Sequence, residues 1–327
     1  MSPETSILAV AGDNTKTDVA ILEPDGTLRA AVRGPGASPD LLGLDVALER
    51  LGESIDRGWR EAKVDAAEAR RAAVGMYFLA GVDTPDDERR VSEGIASRRW
   101  SLRSQVANDV FATLWAATGT GEGVAIYVGS GINCVGRLSS GAVARFAALG
   151  PVSGDWGDGE SLGLGALAAA VRGEDGRTKP TRLTRTVCAY FHMATATQVA
   201  LAVHRGEIDQ ERLLELVPLV LFSAAIHDPA AEQLLDRQAD EVVRYALGAS
   251  RQLRIGDRPF DVVLSGSLVA DELSLTVVRI RRRLATALPR ARAVLCTTLP
   301  VAGAAIAGLA SVSAGEVARK RLRATLV

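Results

Sequence analysis

The chain has 327 residues, a net charge of −1 from 38 basic and 39 acidic residues, 47% hydrophobic and 24% charged residues. That balance suits a water-exposed globular protein and gives no reason to expect nucleic acid or an anionic membrane as partner. The length exceeds one ordinary core, so two domains are expected, over residues 1–118 and 119–327, with the last helix packing back on the first domain.

A short apolar run, Ile7 to Val10, leads into Gly12-Asp13-Asn14-Thr15-Lys16-Thr17, and the chain resumes as Asp18-Val19-Ala20-Ile21-Leu22. Strand, polar turn, strand is the reading, because apolar and β-branched residues flank a cluster of turn formers. The turn gathers hydroxyls, backbone N–H groups and one of the chain's four lysines (Lys16, Lys63, Lys179, Lys320), a set that suits an anionic phosphate. A third strand, Leu28–Arg33, follows the turn Glu23-Pro24-Asp25-Gly26. Apolar residues at Leu41, Leu44, Leu48, Leu51, Ile55 and Trp59 predict an amphipathic helix from Asp40 to Ala62. Ala72–Leu79 reads as a buried strand, Thr84-Pro85-Asp86-Asp87-Glu88 as an acid-rich helix start, and Leu102–Ala107 as a strand ending at Asn108-Asp109. Val110–Ala117 is then helical.

The pattern restarts with Gly123–Val128 and Asn133–Leu138 around Gly129-Ser130-Gly131, then Ala142–Phe146. A Gly/Asp-rich segment from Gly150 to Gly165 opens a long helical region reaching Leu253. Asp261–Leu264 is a strand ending in Ser265-Gly266-Ser267, followed by a helix (Val269–Leu288), a strand (Ala293–Cys296) and a final helical region. The apolar stretch Leu299–Val312 falls short of the ~20 residues a bilayer requires and reads as a buried helix. A three-stranded opening that appears twice predicts two related α/β units facing each other across a ligand-binding cleft.

Cys134, Cys188 and Cys296 are odd in number and widely spaced, so a reduced, cytoplasmic setting is expected and no metal-ligand pair is read. Met1-Ser2-Pro3-Glu4 lacks the basic start and apolar core of a signal peptide. The basic clusters at 279–283 and 319–323 have acids nearby and read as solvated helix faces. The apolar C-terminal helices suit either a homodimer face or a packed core.

Gly129 and Gly131 would let a backbone approach a phosphate closely and tolerate positive φ. Asp109 directly follows a strand and opens a helix, a position open to two readings: a plain N-cap or a carboxylate at the ligand-binding edge of a sheet. Asp155, among glycines beside Trp156, suits either a structural turn or a contact to sugar hydroxyls.

Val106-Ala107-Asn108-Asp109, Gly129-Ser130-Gly131-Ile132-Asn133-Cys134, Ser153-Gly154-Asp155-Trp156-Gly157 and Val263-Leu264-Ser265-Gly266-Ser267, in this order and separation, resemble the BadF/BadG/BcrA/BcrD ATPase family. The resemblance is to its N-acetylglucosamine kinase-like branch of the actin/hexokinase/Hsp70 superfamily. It implies two ribonuclease H-like domains, ATP and Mg²⁺ as cofactors, and phosphoryl transfer to an amino-sugar hydroxyl. It also implies that Asp109 is the base and that Asn14, Thr15, Lys16, Thr17, Gly129, Ser130 and Gly131 hold the ATP phosphates. Ser265, Gly266 and Ser267 would line adenosine, and Asn108, Asn133, Gly154 and Asp155 would contact the sugar. The family's first hairpin begins with an aspartate and two glycines, whereas this chain has Ala11-Gly12-Asp13; Asp13 is therefore the metal candidate. That displacement leaves open a second reading, a non-catalytic nucleotide or sugar sensor on the same fold. Relatives that activate radical dehydratases with an iron–sulfur cluster offer a third, for which the cysteine spacing gives little support.

Overall fold

The computed structural model describes residues 5–64 and 71–326; the Met1-Ser2-Pro3-Glu4 stretch lies outside them. Two five-stranded sheets are built on the same plan. The first contains β1 (Ile7–Gly12), β2 (Lys16–Leu22), β3 (Leu28–Pro35), β4 (Ala72–Leu79) and β5 (Ser101–Asn108), in the order β3-β2-β1-β4-β5. The second contains β6 (Gly123–Val128), β7 (Ile132–Arg137), β8 (Val143–Arg145), β9 (Phe260–Ser265) and β10 (Ala291–Leu295), in the order β10-β9-β6-β7-β8. In each, three antiparallel strands joined by hairpins are extended by two parallel strands. The expected duplication is therefore present strand for strand.

The helices are α1 (Pro39–Leu42), α2 (Leu44–Glu61), α3 (Pro85–Arg98), α4 (Val110–Thr118), α5 (Gly159–Glu174), α6 (Arg182–Tyr190), α7 (Ala196–His204), α8 (Val217–Ala225), α9 (Pro229–Gln252), α10 (Leu275–Ala287), α11 (Pro300–Ser311) and α12 (Glu316–Leu326). The helix expected over Asp40–Ala62 is split at Gly43, whose φ of 77° departs from helical geometry. The long helical region expected up to Leu253 is divided into separate helices, of which α9, with 24 residues, is the longest. Thr181, Thr195 and Asp228 start α6, α7 and α9 with side-chain caps.

Four apolar clusters hold this together. Leu48, Leu51, Ile55 and Trp59 of α2 and Val91 and Ile95 of α3 cover one face of the first sheet. Val242, Ala246 and Ala249 of α9 and Val277, Ile280 and Leu284 of α10 cover the matching face of the second. Helices α4 and α11 lie between the sheets, joining Ile7, Ala9, Met76 and Phe78 to Ala125, Val135 and Val263 in one core. Every residue from Val301 to Leu309 is buried, so the apolar run read as a buried helix is spent inside the chain. Its approach to α4 is close: a Cβ on Gly303 would lie 1.8 Å from the Ala112 carbonyl oxygen. Only glycine allows that contact. The fourth cluster joins α5 to α9 in a helical unit beside the second sheet. Among the described residues, no single helix is long and apolar enough to cross a membrane.

Candidate active site

The strand register decides which side chains meet. Gly12, Leu79 and Asn108 end the parallel strands β1, β4 and β5 side by side. The residues that follow, Asp13, Ala80 to Asp83 and Asp109, therefore leave the sheet at one edge, the carboxyl edge where ligands bind in α/β folds. In the second sheet Tyr127 pairs with Ser265, which brings the Gly129–Gly131 turn beside Gly266 and Ser267. Both edges open on one cleft of about 540 Å³. Its wall includes Asp13, Asn14, Thr15, Lys16, Asn108, Asp109, Ser130, Gly131, Asn133, Gly266 and Ser267, all expected from the sequence.

Asp109 holds the N-cap position of α4 without a side-chain cap hydrogen bond. The capping falls to its neighbour: Asn108 Oδ1 accepts from the Val110 amide at 2.9 Å. Of the two readings the position allows, the plain N-cap is thus not the one used. Burial, then the charges of Asp83 and Asp13, push the Asp109 carboxyl up to about 7.

Asp83 is the residue that sequence reading missed. It stands in the loop after β4, and its Oδ1 accepts from Asn108 Nδ2 and Asn133 Nδ2, each at 2.8 Å. One carboxylate oxygen thereby clasps the two sheets across the cleft. Burial, reinforced by Asp40 and Asp87 and opposed by the Asn133 hydrogen bond and Arg145, pushes Asp83 up to about 6. Its only sequence signal was an acid following a buried strand, as Asp109 does.

Asp13 is turned into its own hairpin. Its Oδ1 accepts from the Thr15 amide at 2.7 Å, the Thr15 hydroxyl at 2.7 Å and the Lys16 amide at 2.8 Å, while Lys16 Nζ lies 3.5 Å from Oδ2. Although partly buried, its carboxyl is held below the usual carboxylate range by these donors. The amides and ammonium expected to face phosphates are thus engaged by a carboxylate in their place. Thr17 does not line the cleft; it pairs with Gly12 inside the hairpin, fully buried, its hydroxyl without a partner among the described residues.

The glycine turn differs in detail from expectation. Neither Gly129 nor Gly131 has positive φ. A Cβ on Gly129 would lie 2.4 Å from the Tyr127 hydroxyl and displace that side chain, whereas a Cβ on Gly131 would meet nothing within 4 Å and would project into open space. The Gly129 carbonyl accepts from the Gly159 amide at 2.8 Å, which braces the turn on the start of α5. Gly266, at φ 103°, would place a Cβ 2.4 Å from the Val128 carbonyl oxygen. Ser265, outside the cleft wall, is buried with its hydroxyl unpartnered among the described residues.

The loop carrying Gly154 and Asp155 stands apart from the cleft wall. Asp155 accepts from the Tyr245 hydroxyl through Oδ1 and from the Ser153 hydroxyl through Oδ2 at 2.6 Å, and is buried. One face of the Trp156 ring is covered by the Arg237 guanidinium, 3.9 Å from its centroid. The sequence expectation for this loop is a sugar contact from Gly154 and Asp155; in the structure neither lines the cleft, and Asp155 satisfies a buried tyrosine.

The carboxylates of Asp13, Asp83 and Asp109 are hard oxygen donors of the kind Mg²⁺ takes. Among the described residues, however, no group of three or more acids, histidines or cysteines is gathered tightly enough to hold a metal. That donor set fits an ion that keeps waters and is held largely by nucleotide phosphates. Cys134 is buried against the Tyr245 carbonyl, away from the other two cysteines.

Residues 12–307 match the sequence model of the BadF/BadG/BcrA/BcrD ATPase family. The chain belongs to that family. A Clostridium acetobutylicum N-acetylmuramic acid/N-acetylglucosamine kinase is 24% identical over 163 residues, 50% of this chain and 53% of the relative. The match thus spans about half of that relative's length. A Dictyostelium discoideum N-acetyl-D-glucosamine kinase is 24% identical over 242 residues, 72% of this chain and 76% of its own. A crystal structure of a candidate N-acetylglucosamine kinase from Chromobacterium violaceum superposes with a TM-score of 0.67 at 22% identity, covering 93% of this chain and 99% of that one. This likeness places the family member in the actin/hexokinase fold.

Proposed function

We propose that this chain is an ATP-dependent kinase that transfers the terminal phosphoryl group to a hydroxyl of an amino sugar, N-acetylglucosamine or a relative. The observation that carries the reading is Asp109: a carboxylate that caps nothing, is tuned to about 7, and shares one cleft with both hairpins. A base near neutrality is matched to removing a proton from an alcohol. Phosphoryl transfer otherwise asks for positioning and charge stabilisation.

In this reading Asp109 takes the acceptor hydroxyl's proton as its oxygen attacks the terminal phosphorus, and ADP leaves. Asn108 and Asn133, held by Asp83, fix the acceptor's approach. Ser130 and Gly131 face the phosphates from one sheet, and Asn14, Thr15 and Lys16 from the other, with Lys16 exchanging Asp13 for phosphate. Gly266 and Ser267 border the nucleoside. Mg²⁺, when bound with ATP, neutralises phosphate charge that Asp13 and Asp109 would otherwise oppose. The kinase names of the relatives support the same class of reaction.

The test is incubation with ATP, Mg²⁺ and a panel of amino sugars, reading sugar-dependent ADP. Release of ADP without regard to sugar, or none with any sugar, would refute the kinase reading. The engaged state of Asp13 favours one second reading, a nucleotide or sugar sensor, which would bind ligand without turnover.

A further inference from the structure

A second cavity, of about 580 Å³, opens at the opposite edge of the second sheet, where β6, β9 and β10 begin. Strand β6 runs between this edge and the Gly129 turn, so ~20 Å of sheet separates the cavity from the cleft. One wall is the loop Thr118-Gly119-Thr120-Gly121-Glu122-Gly123, between α4 and β6. Thr118, Thr120 and Glu122 line the cavity, and the glycines that alternate with them all have positive φ, at 71°, 69° and 120°. Side chains are disfavoured at such angles, and a Cβ on Gly123 would lie 2.7 Å from the Asp261 carbonyl oxygen. Thr118 Oγ1 braces the loop from within, donating to the Leu114 carbonyl at 2.7 Å and accepting from the Gly121 amide at 3.0 Å. The loop is therefore fixed in shape against the start of β9.

Arg258, Arg290 and Arg292 also line this cavity. Arg292 is spent on Asp261, its Nε and Nη2 donating to the two carboxylate oxygens at 2.8 and 2.9 Å. Arg258 is held in place without being neutralised. Its Nε and Nη2 donate to the Ile255 and Arg254 carbonyls just past α9, at 3.0 and 3.3 Å, and Nη1 has no partner among the described residues. The Arg290 guanidinium has neither a hydrogen bond nor an ion pair among them, and both residues are exposed, so a ligand can reach them. Two guanidinium groups without counter-charges at one cavity suit a phosphate, which accepts from both. The Glu122 carboxylate accepts no hydrogen bond from the described residues, and the Thr120 hydroxyl accepts from the Glu122 amide but donates to nothing. Those free positions suit sugar hydroxyls, and Phe260 supplies an apolar surface for the ring's C–H face. Three arginines against Glu122 and Asp261 leave one positive charge in the wall. That charge matches a phosphate monoester, at about −1.5 to −2, better than a triphosphate.

We infer that this cavity is a second ligand site, for a sugar phosphate monoester, with the phosphate on Arg258 and Arg290 and the hydroxyls on Glu122 and Thr120. It shares no lining residue with the cleft, so it stands whether or not the cleft is a kinase site.

Calorimetric titration of the full chain tests the inference, with a non-hydrolysable ATP analogue and Mg²⁺ present to occupy the cleft. The probes are glucose 6-phosphate, inorganic phosphate, AMP and glucose. Glucose 6-phosphate should bind at a single site, at least about tenfold more tightly than each of the others, and weaken as salt is added. Arg290→Ala removes a side chain that the fold does not use, and should weaken glucose 6-phosphate by about tenfold or more. Glu122→Gln should weaken glucose 6-phosphate while leaving inorganic phosphate unchanged or tighter. Absence of saturable binding, or binding that Arg290→Ala leaves unchanged, would overturn the site. AMP, inorganic phosphate or glucose binding as tightly as glucose 6-phosphate would overturn the assigned ligand class.

Discussion

Asp109 leaves the capping of α4 to Asn108 and keeps its own carboxylate for the cleft, and its chemistry follows from its neighbours. Burial and the charges of Asp83 and Asp13 favour its protonated form. The rate constant kcat/KM, corrected for titration of the sugar itself, should therefore fall about tenfold per pH unit below about 7 and level above it. Asp109→Asn should lose orders of magnitude in turnover while still binding ATP, measured by coupled ADP assay and calorimetry. The same shift has a stability consequence. The folded pKa lies above the unfolded value near 3.8, so the folded state binds the extra proton and stability from this group declines as pH rises between the two. Asp109→Asn should accordingly gain Tm relative to the parent progressively from about pH 4 to about pH 7, then hold that gain. Asp13 poses the opposite case, a carboxylate kept ionised by donors that a phosphate would use. Its charge penalises ATP without Mg²⁺, by ~1 to 4 kcal/mol at 4 Å depending on solvent exposure. Asp13→Asn should tighten metal-free ATP binding by about tenfold and shrink the advantage conferred by Mg²⁺, read by calorimetry with and without EDTA. Asp13 and Asp109 were singled out through the family resemblance, the place of Asp109 after a strand leaving a plain N-cap reading open beside it. Asp83 was not: it too follows a buried strand, but it lies outside the resembling motifs and just before the helix start at Thr84. Its partners lie 25 and 50 residues further along, and only the fold brings them to it.

At the level of elements, apolar periodicity located the strands to within a residue or two, since buried β-strands leave long hydrophobic runs. It failed where local geometry intervened, as at Gly43, which breaks one amphipathic pattern into α1 and α2. The helices after α5 read as one region because their breaks lie in short polar caps within a continuous apolar pattern. The loop before α5 shows why residue type alone underdetermines a contact. An aspartate among glycines suits a sugar, yet a buried tyrosine on α9 takes it first. Asp155→Ala should therefore destabilise the fold by about 1–3 kcal/mol, seen as a lower urea midpoint, with little change in KM for the sugar. A selective rise in sugar KM at unchanged stability would return the loop to the acceptor site.

Across the whole molecule, the repeated sheet plan was legible because its hairpins and strand lengths recur, and Leu299–Val312 was legible as a buried helix, but not as the element that joins the two sheets in one core. Helix α11, from the far end of the sequence, packs on β1 and α4 and completes the core that includes Ile7 and Met76. Gly303→Leu should force α11 away from α4 and lower Tm by many degrees, because the obstructing atom is backbone at 1.8 Å and cannot turn aside. The same arrangement bears on biosynthesis. A ribosome releases the first sheet long before it makes Val301 to Leu322, so the nascent amino-terminal half must wait with the Ile7, Ala9 and Met76 side exposed. Premature termination anywhere before Pro300 would thus abolish the fold of the earliest-made half rather than merely shorten the latest, and such products should be insoluble.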